Sequence, residues 1–70
     1  MPRPVLRPID GTRILIDCDN GFHSATYHPD RERQPDYSLD VGHGTAPHLA
    51  VADLLRNLYD THPELFTLED

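Results

Sequence analysis

The chain has 70 residues with no lysine and a single cysteine, and its longest strongly apolar run is the triplet Ile14–Leu15–Ile16. Each shortage excludes something. One cysteine makes no internal disulfide, so this short chain has no covalent staple, and a chain of this size buries only about 60% of its unfolded surface. A metal, a partner subunit or a compact core must substitute. Cys18, set in an apolar run, reads as a small buried hydrophobe. Without lysine there is no Gly-x-x-x-x-Gly-Lys phosphate loop. Without a run of about 20 apolar residues there is no spanning helix. The arginine-bearing N-terminus has no apolar signal core either, so a cytoplasmic location is expected.

Positive charge is also scarce. The net charge is −6, and all six basic residues are arginines. Residues 1–13 sum to +2, whereas residues 34–70 sum to −6. Phosphate neutralisation supplies most nucleic-acid affinity and needs a basic footprint, which the body of the chain lacks. An acidic body suits a basic protein partner through electrostatic steering, or simply keeps a small protein soluble.

The patterning divides the chain at about residue 11. "PRPVLRP" is rich in proline, which fixes φ and biases its neighbours to extended geometry, so residues 1–11 read as an extended Pro/Arg arm. Such a terminus is a solvated tail unless it docks. Residues 12–70 read as one small α+β domain. "TRILIDC" (12–18) alternates, with Ile14, Ile16 and Cys18 on one side. Asn20-Gly21 is a hairpin signal, because both residues tolerate positive φ. "GFHSATY" (21–27) returns with His23, Ala25 and Tyr27 on one face and Phe22, Ser24 and Thr26 on the other. "HPDRERQPD" (28–36) is a polar loop, the place for a partner-binding tip. In "YSLDV" (37–41), Tyr37, Leu39 and Val41 are expected inward.

From Thr45 the period becomes helical. Val51, Leu54, Leu55 and Leu58 form one stripe, and the helix is expected to end near Tyr59 or Asp60. Thr45 is the expected N-cap, with Pro47 tolerated in the first turn. "THPELF" opens either a further helical turn or, through "LFTL", a short final strand. The expected fold is therefore a three-stranded antiparallel sheet packed by one helix, β-β-β-α.

Few residues promise chemistry. Zinc needs about four closely spaced ligands, and only His43 and His48 are near one another, so no metal or other cofactor is expected. "DCDNG" resembles the start of a calcium loop, but Gly21, Phe22 and His28 fall where ligand, glycine and glutamate should be. "GHGT" is not Gly-x-Gly-x-x-Gly, because Pro47 holds the last position. Cys18, His23 and Asp19 cluster around the hairpin, but a buried thiol is inert and so short a chain hardly encloses a pocket. No catalytic residue and no enzyme activity are expected.

The order of elements is similar to the HicB-like antitoxin family. A strand leads into "DNGFHSATYHPD", a third strand follows, and "GHGTAPHLAVADLL" opens a helix. Gly21, Phe22, Ala25, Pro29 and Asp30 match the family's hairpin pattern; Gly42, Gly44, Thr45, Ala50 and Leu54 match its strand-to-helix pattern. The resemblance covers about residues 12–60. His48 and Leu49 replace the family's acidic pair, and only ten residues follow Asp60. It implies the partner-binding half of such a protein without the DNA-binding half, and a small basic RNA-cleaving toxin as partner.

The expected function is thus a non-catalytic protein-interaction module, an antitoxin-like or phage or mobile-element accessory protein, with Arg31, Arg33 and Tyr37 as candidate partner contacts. A homodimer formed through a sheet edge or helix face would enlarge its core. The competing reading is a nucleic-acid-associated module in which Arg3, Arg7 and Arg13, or Arg31 and Arg33, touch phosphates.

Overall fold

The computed structural model describes residues 2–29 and 38–69. Its elements are β1 (Arg3–Leu6), β2 (Arg13–Asp19), β3 (Phe22–His28), β4 (Asp40–Gly44), α1 (Pro47–Thr61), a 3₁₀ turn (Pro63–Leu65) and β5 (Phe66–Glu69). Strands β2, β3 and β4 form an antiparallel sheet in that spatial order, and β1 and β5 form a separate two-stranded ribbon. This is the α+β arrangement of a three-stranded sheet packed by one helix, with a strand pair added.

The β2–β3 hairpin follows from its turn residues. Asn20 and Gly21 have φ of 52° and 80°, and Asp19 pairs with Phe22 across the two-residue loop. Positive φ at both positions matches the right-handed twist of the flanking strands. Register then puts Ile14, Ile16 and Cys18 on the same face as Tyr27, Ala25 and His23. That face meets α1, as the alternation predicts.

The third strand departs from its expected phase. Leu39 N–H donates to Tyr27 O (3.0 Å), while Asp40 is the register partner of Tyr27. Two residues thus face one, a β-bulge, and a bulge shifts the alternation by one. Leu39 packs on the core, but Val41 turns outward and is 37% exposed. Gly42 and Gly44 take the helix-facing positions instead. A β-carbon on Gly42 would collide with the backbone of Leu54 and lie 2.5 Å from Ala50 O; one on Gly44 would lie 2.7 Å from Ala50 N. Bare glycine backbone lets the helix rest directly on the strand.

That approach also selects the helix's buried line. Ala50, Leu54 and Leu58, spaced i, i+4 and i+8, are buried with Ala25 and Tyr27, while Val51 and Leu55 are half-buried. The stripe is rotated towards Ala50, a residue small enough to fit under a helix held so close. Full burial of Leu54 or Leu58 contributes about 1.5–3 kcal/mol each.

Two further expectations are corrected. Thr45 is not the N-cap: Ala46 holds that position in extended conformation (φ −144°, ψ 156°) with no side-chain cap. Its carbonyl accepts from the amides of Leu49 (3.1 Å) and Ala50 (3.0 Å). The chain stays extended one residue beyond Thr45, so the hydroxyl lies outside the first turn. Cys18 is not buried but exposed, and Ile16 is 46% exposed on the same face. The helix lies over β3 and β4 and leaves this stretch of β2 uncovered.

The N-terminal arm is a docked strand. Val5 pairs with Thr67 and Leu6 with Phe66, Arg7 N–H donates to Leu65 O (2.9 Å), and Arg7 Nη2 donates to Glu64 O (2.7 Å). Phe66 meets Tyr59 edge-to-face at 5.3 Å between ring centroids. The C-terminal segment contains both candidate elements in succession, the 3₁₀ turn and then the strand.

Two predictions follow from this packing. Gly42→Ala lowers unfolding free energy by about 3 kcal/mol or abolishes folding, the cost of overpacking against backbone. Gly21→Ala, with nothing near its added carbon, costs only the left-handed penalty of about 1–2 kcal/mol. Urea midpoints at unchanged m-value check both. The buried Tyr27 hydroxyl has no hydrogen-bond partner among the described residues. Tyr27→Phe therefore leaves stability unchanged or raises it by about 1 kcal/mol.

Candidate interaction surfaces

The two edges of the sheet are treated very differently. On β4 the outward backbone groups are met by side chains. His43 N–H donates to Asp53 Oδ2 (2.9 Å), Val41 N–H donates to Asp40 Oδ1 (2.8 Å), and Asn57 Nδ2 donates to Val41 O (3.0 Å). Thr61 Oγ1 lies 3.1 Å from Asp40 Oδ2 and 3.0 Å from Asn57 O, so one hydroxyl proton serves two acceptors. Asp53, Asn57 and Thr61 are spaced by four on α1, beside the buried line. The helix covers the sheet with one row and closes its edge with the next.

β2 has no such cover. Tyr27 O accepts from β4, so Ala25 and Tyr27 bond towards β4, whereas Ser24 and Thr26 bond towards β2. Their β2 partners Asp17 and Leu15 therefore turn inward to the ladder. Ile14, Ile16 and Cys18 turn their amides and carbonyls to the open edge, and no backbone partner meets them among the described residues.

The sheet face opposite the helix is a second open surface. Register aligns Leu15, Thr26 and Val41 in one row, Asp17, Ser24 and His43 in the next, and Asp19 with Phe22 at the tip. Leu15 is 39% and Phe22 62% exposed. Arg13 and His28 end the face on the far side; His28 is buried, with Nε2 3.1 Å from Thr26 Oγ1. Apolar groups thus lie between two aspartates and a histidine. On the helix side, a trough of about 590 Å³ is lined by Val5, Leu6, Ile14, Leu55, Tyr59 and Phe66, with Arg3 and Arg56 also on its wall.

The residues singled out in the sequence scatter. Arg31, Arg33 and Tyr37 lie outside the described residues. Arg3 and Arg7 belong to the ribbon side, Arg13 is half-buried in the sheet, and Arg56 stands 3.7 Å from Asp53. Cys18 and His23 face each other in register on the helix side, whereas Asp19 projects from the opposite face. His43 lies on the outer sheet face and His48 in the first turn of the helix, both exposed. Among the described residues, no three His, Cys, Asp or Glu side chains are grouped to hold a metal, and no helix is long and apolar enough to cross a membrane. The Asp53–Asn57–Thr61 row was missed in the sequence. Its signal was the four-residue spacing of short polar side chains beside the apolar stripe.

Compared with protein-family models, curated proteins and solved structures, the chain matches none.

Removing an edge-closing side chain should loosen β4 locally. Asp53→Ala and Asn57→Ala are each expected to cost about 1 kcal/mol. In Asp53→Ala the His43 amide should exchange with solvent deuterium faster than the Ala25 amide, which remains in the ladder.

Proposed function

We propose that this chain is a non-catalytic protein-interaction module of the HicB-like antitoxin kind, which binds a basic protein partner through the sheet face opposite its helix. The observation that carries the reading is the row of Leu15, Thr26 and Val41 with Phe22 at the tip, flanked by Asp17 and Asp19. Exposed apolar groups gathered on one sheet face support a contact surface there, as contiguous apolar patches do. The aspartates beside them favour a partner that brings lysine or arginine, and the net charge of −6 supports the same choice. The resemblance adds the chemistry of that partner, a small basic RNA-cleaving toxin. Nucleic-acid binding is less favoured, because the net charge is −6 and Arg13, on the outer sheet face, is separate from Arg3 and Arg56 at the trough, so no continuous basic stripe forms.

Affinity capture from the native host, with wild type and Phe22→Asp compared in parallel, tests this. Wild type should retain a basic protein that weakens its hold as salt rises. Phe22→Asp, exposed and outside the core, should keep its fold and lose at least about tenfold in affinity, as expected for an aromatic anchor. Retention unchanged by both the substitution and salt sinks the proposal.

A further inference from the structure

The contrast between the sheet edges goes beyond partner binding. An unpaired strand edge is a template for another strand, and proteins usually blunt it with lysine, proline, a bulge or a covering element. β4 is blunted in this way; β2 has seven residues, no proline and no lysine. Its sequence "RILIDCD" also carries its own complement. Placed antiparallel to itself about Ile16, the strand sets Ile16 against Ile16, Ile14 against Cys18, Leu15 against Asp17, and Arg13 against Asp19 at both ends. The outward backbone groups belong to Ile14, Ile16 and Cys18, the residues this register joins in hydrogen-bonded pairs, for about six new backbone bonds. The half-exposed Ile16 gains an apolar neighbour, and each Arg13 gains a carboxylate on the outer face. Among the described residues the ribbon leaves this edge unpaired, since β1 and β5 pair with each other and line the far side of the trough from Ile14.

We infer that two copies of this chain pair β2 to β2, antiparallel and centred on Ile16, to form one six-stranded sheet with both helices on the same face. The outer faces then join into one surface twice as wide. This inference does not need the basic partner, and its test uses the purified chain alone.

Sedimentation velocity at about 10–100 μM reads the assembly. The expected result is a particle with the mass of two chains. Arg13→Asp and Asp19→Arg should each weaken association about tenfold or more, because each places like charges opposite at both ends of the pair. Mixing the two single variants should restore it, since the mixed pair has opposite charges at both ends. The double variant Arg13→Asp/Asp19→Arg should also dimerise, which controls for misfolding of either single variant. A thiol trap fixes the register. Ile16→Cys in a Cys18→Ser background should oxidise to a covalent dimer, because facing α-carbons in a bonded pair lie about 5.5 Å apart. Wild-type Cys18 should not, since two Cys18 residues would stand four positions apart, about 13 Å. A monomer throughout, or a dimer indifferent to the charge exchanges, overturns the inference. So does a covalent dimer formed by wild-type Cys18 as readily as by Ile16→Cys/Cys18→Ser.

Discussion

The helix turn from Ala50 to Leu54 rests on Gly42 and Gly44 so closely that a β-carbon on either glycine would run into helix backbone. Most of the architecture depends on this contact. Because no side chain stands between strand and helix, Ala50 is large enough to be buried, and Leu54 and Leu58 reach Ala25 and Tyr27. Because the helix lies so low, the next row of its side chains comes level with the edge of β4. Asp53 and Asn57 then meet amide and carbonyl groups that would otherwise face solvent. A helix lifted by one methyl layer would lose the core contact and the edge closure together. The joint "GHGTAP" therefore owes its glycines to packing more than to the turn that follows.

This arrangement makes the sheet asymmetric. The helix lies over β3 and β4, and the ribbon supports its C-terminal end through Phe66 and Tyr59. Ile16 and Cys18 have the side-chain orientation of core residues but are exposed, with no layer above them among the described residues. In a large domain a second helix would cover such a strand. Among the described residues no second helix does so, and a core of this size is marginal by itself. The proposed β2–β2 pairing would cover part of this exposed apolar surface.

How much of this was legible in the sequence depended on the range of the interaction. Local chemistry read well. Asn20-Gly21 identified the hairpin, the alternation in β2 and β3 named the helix-facing residues, and the leucine spacing located the helix. Errors arose where distant residues decide. The bulge at Leu39–Asp40 is set by pairing with Tyr27, and it moved Val41 to the outer face and the glycines inward. Cys18 has the alternation of a buried residue, but no pattern along β2 reports how far the helix extends over it. The Pro/Arg arm became a strand because Val5 and Leu6 meet Thr67 and Phe66 from the other end of the chain. Thr45 carries the right chemistry for a cap one position too early. Of the candidate surface, Phe22 was placed on the correct face, but the row it completes needed the register of three strands.

The polar side chains clarify why one edge and one face stay open. Asp40, Asp53, Asn57 and Thr61 are spent on β4, where each satisfies backbone or another member of the set. Arg7 is likewise committed to the Glu64 carbonyl. By contrast Asp17 and Asp19 have no hydrogen bond or ion pair to another described side chain, and they flank the apolar residues of the open face. Among the described residues, the polar groups used for stability lie on the helix and ribbon sides, and those with no described partner lie on β2 and the hairpin tip. Carboxylates with no described partner, set beside exposed apolar groups, are what the proposed contact with a basic partner rests on.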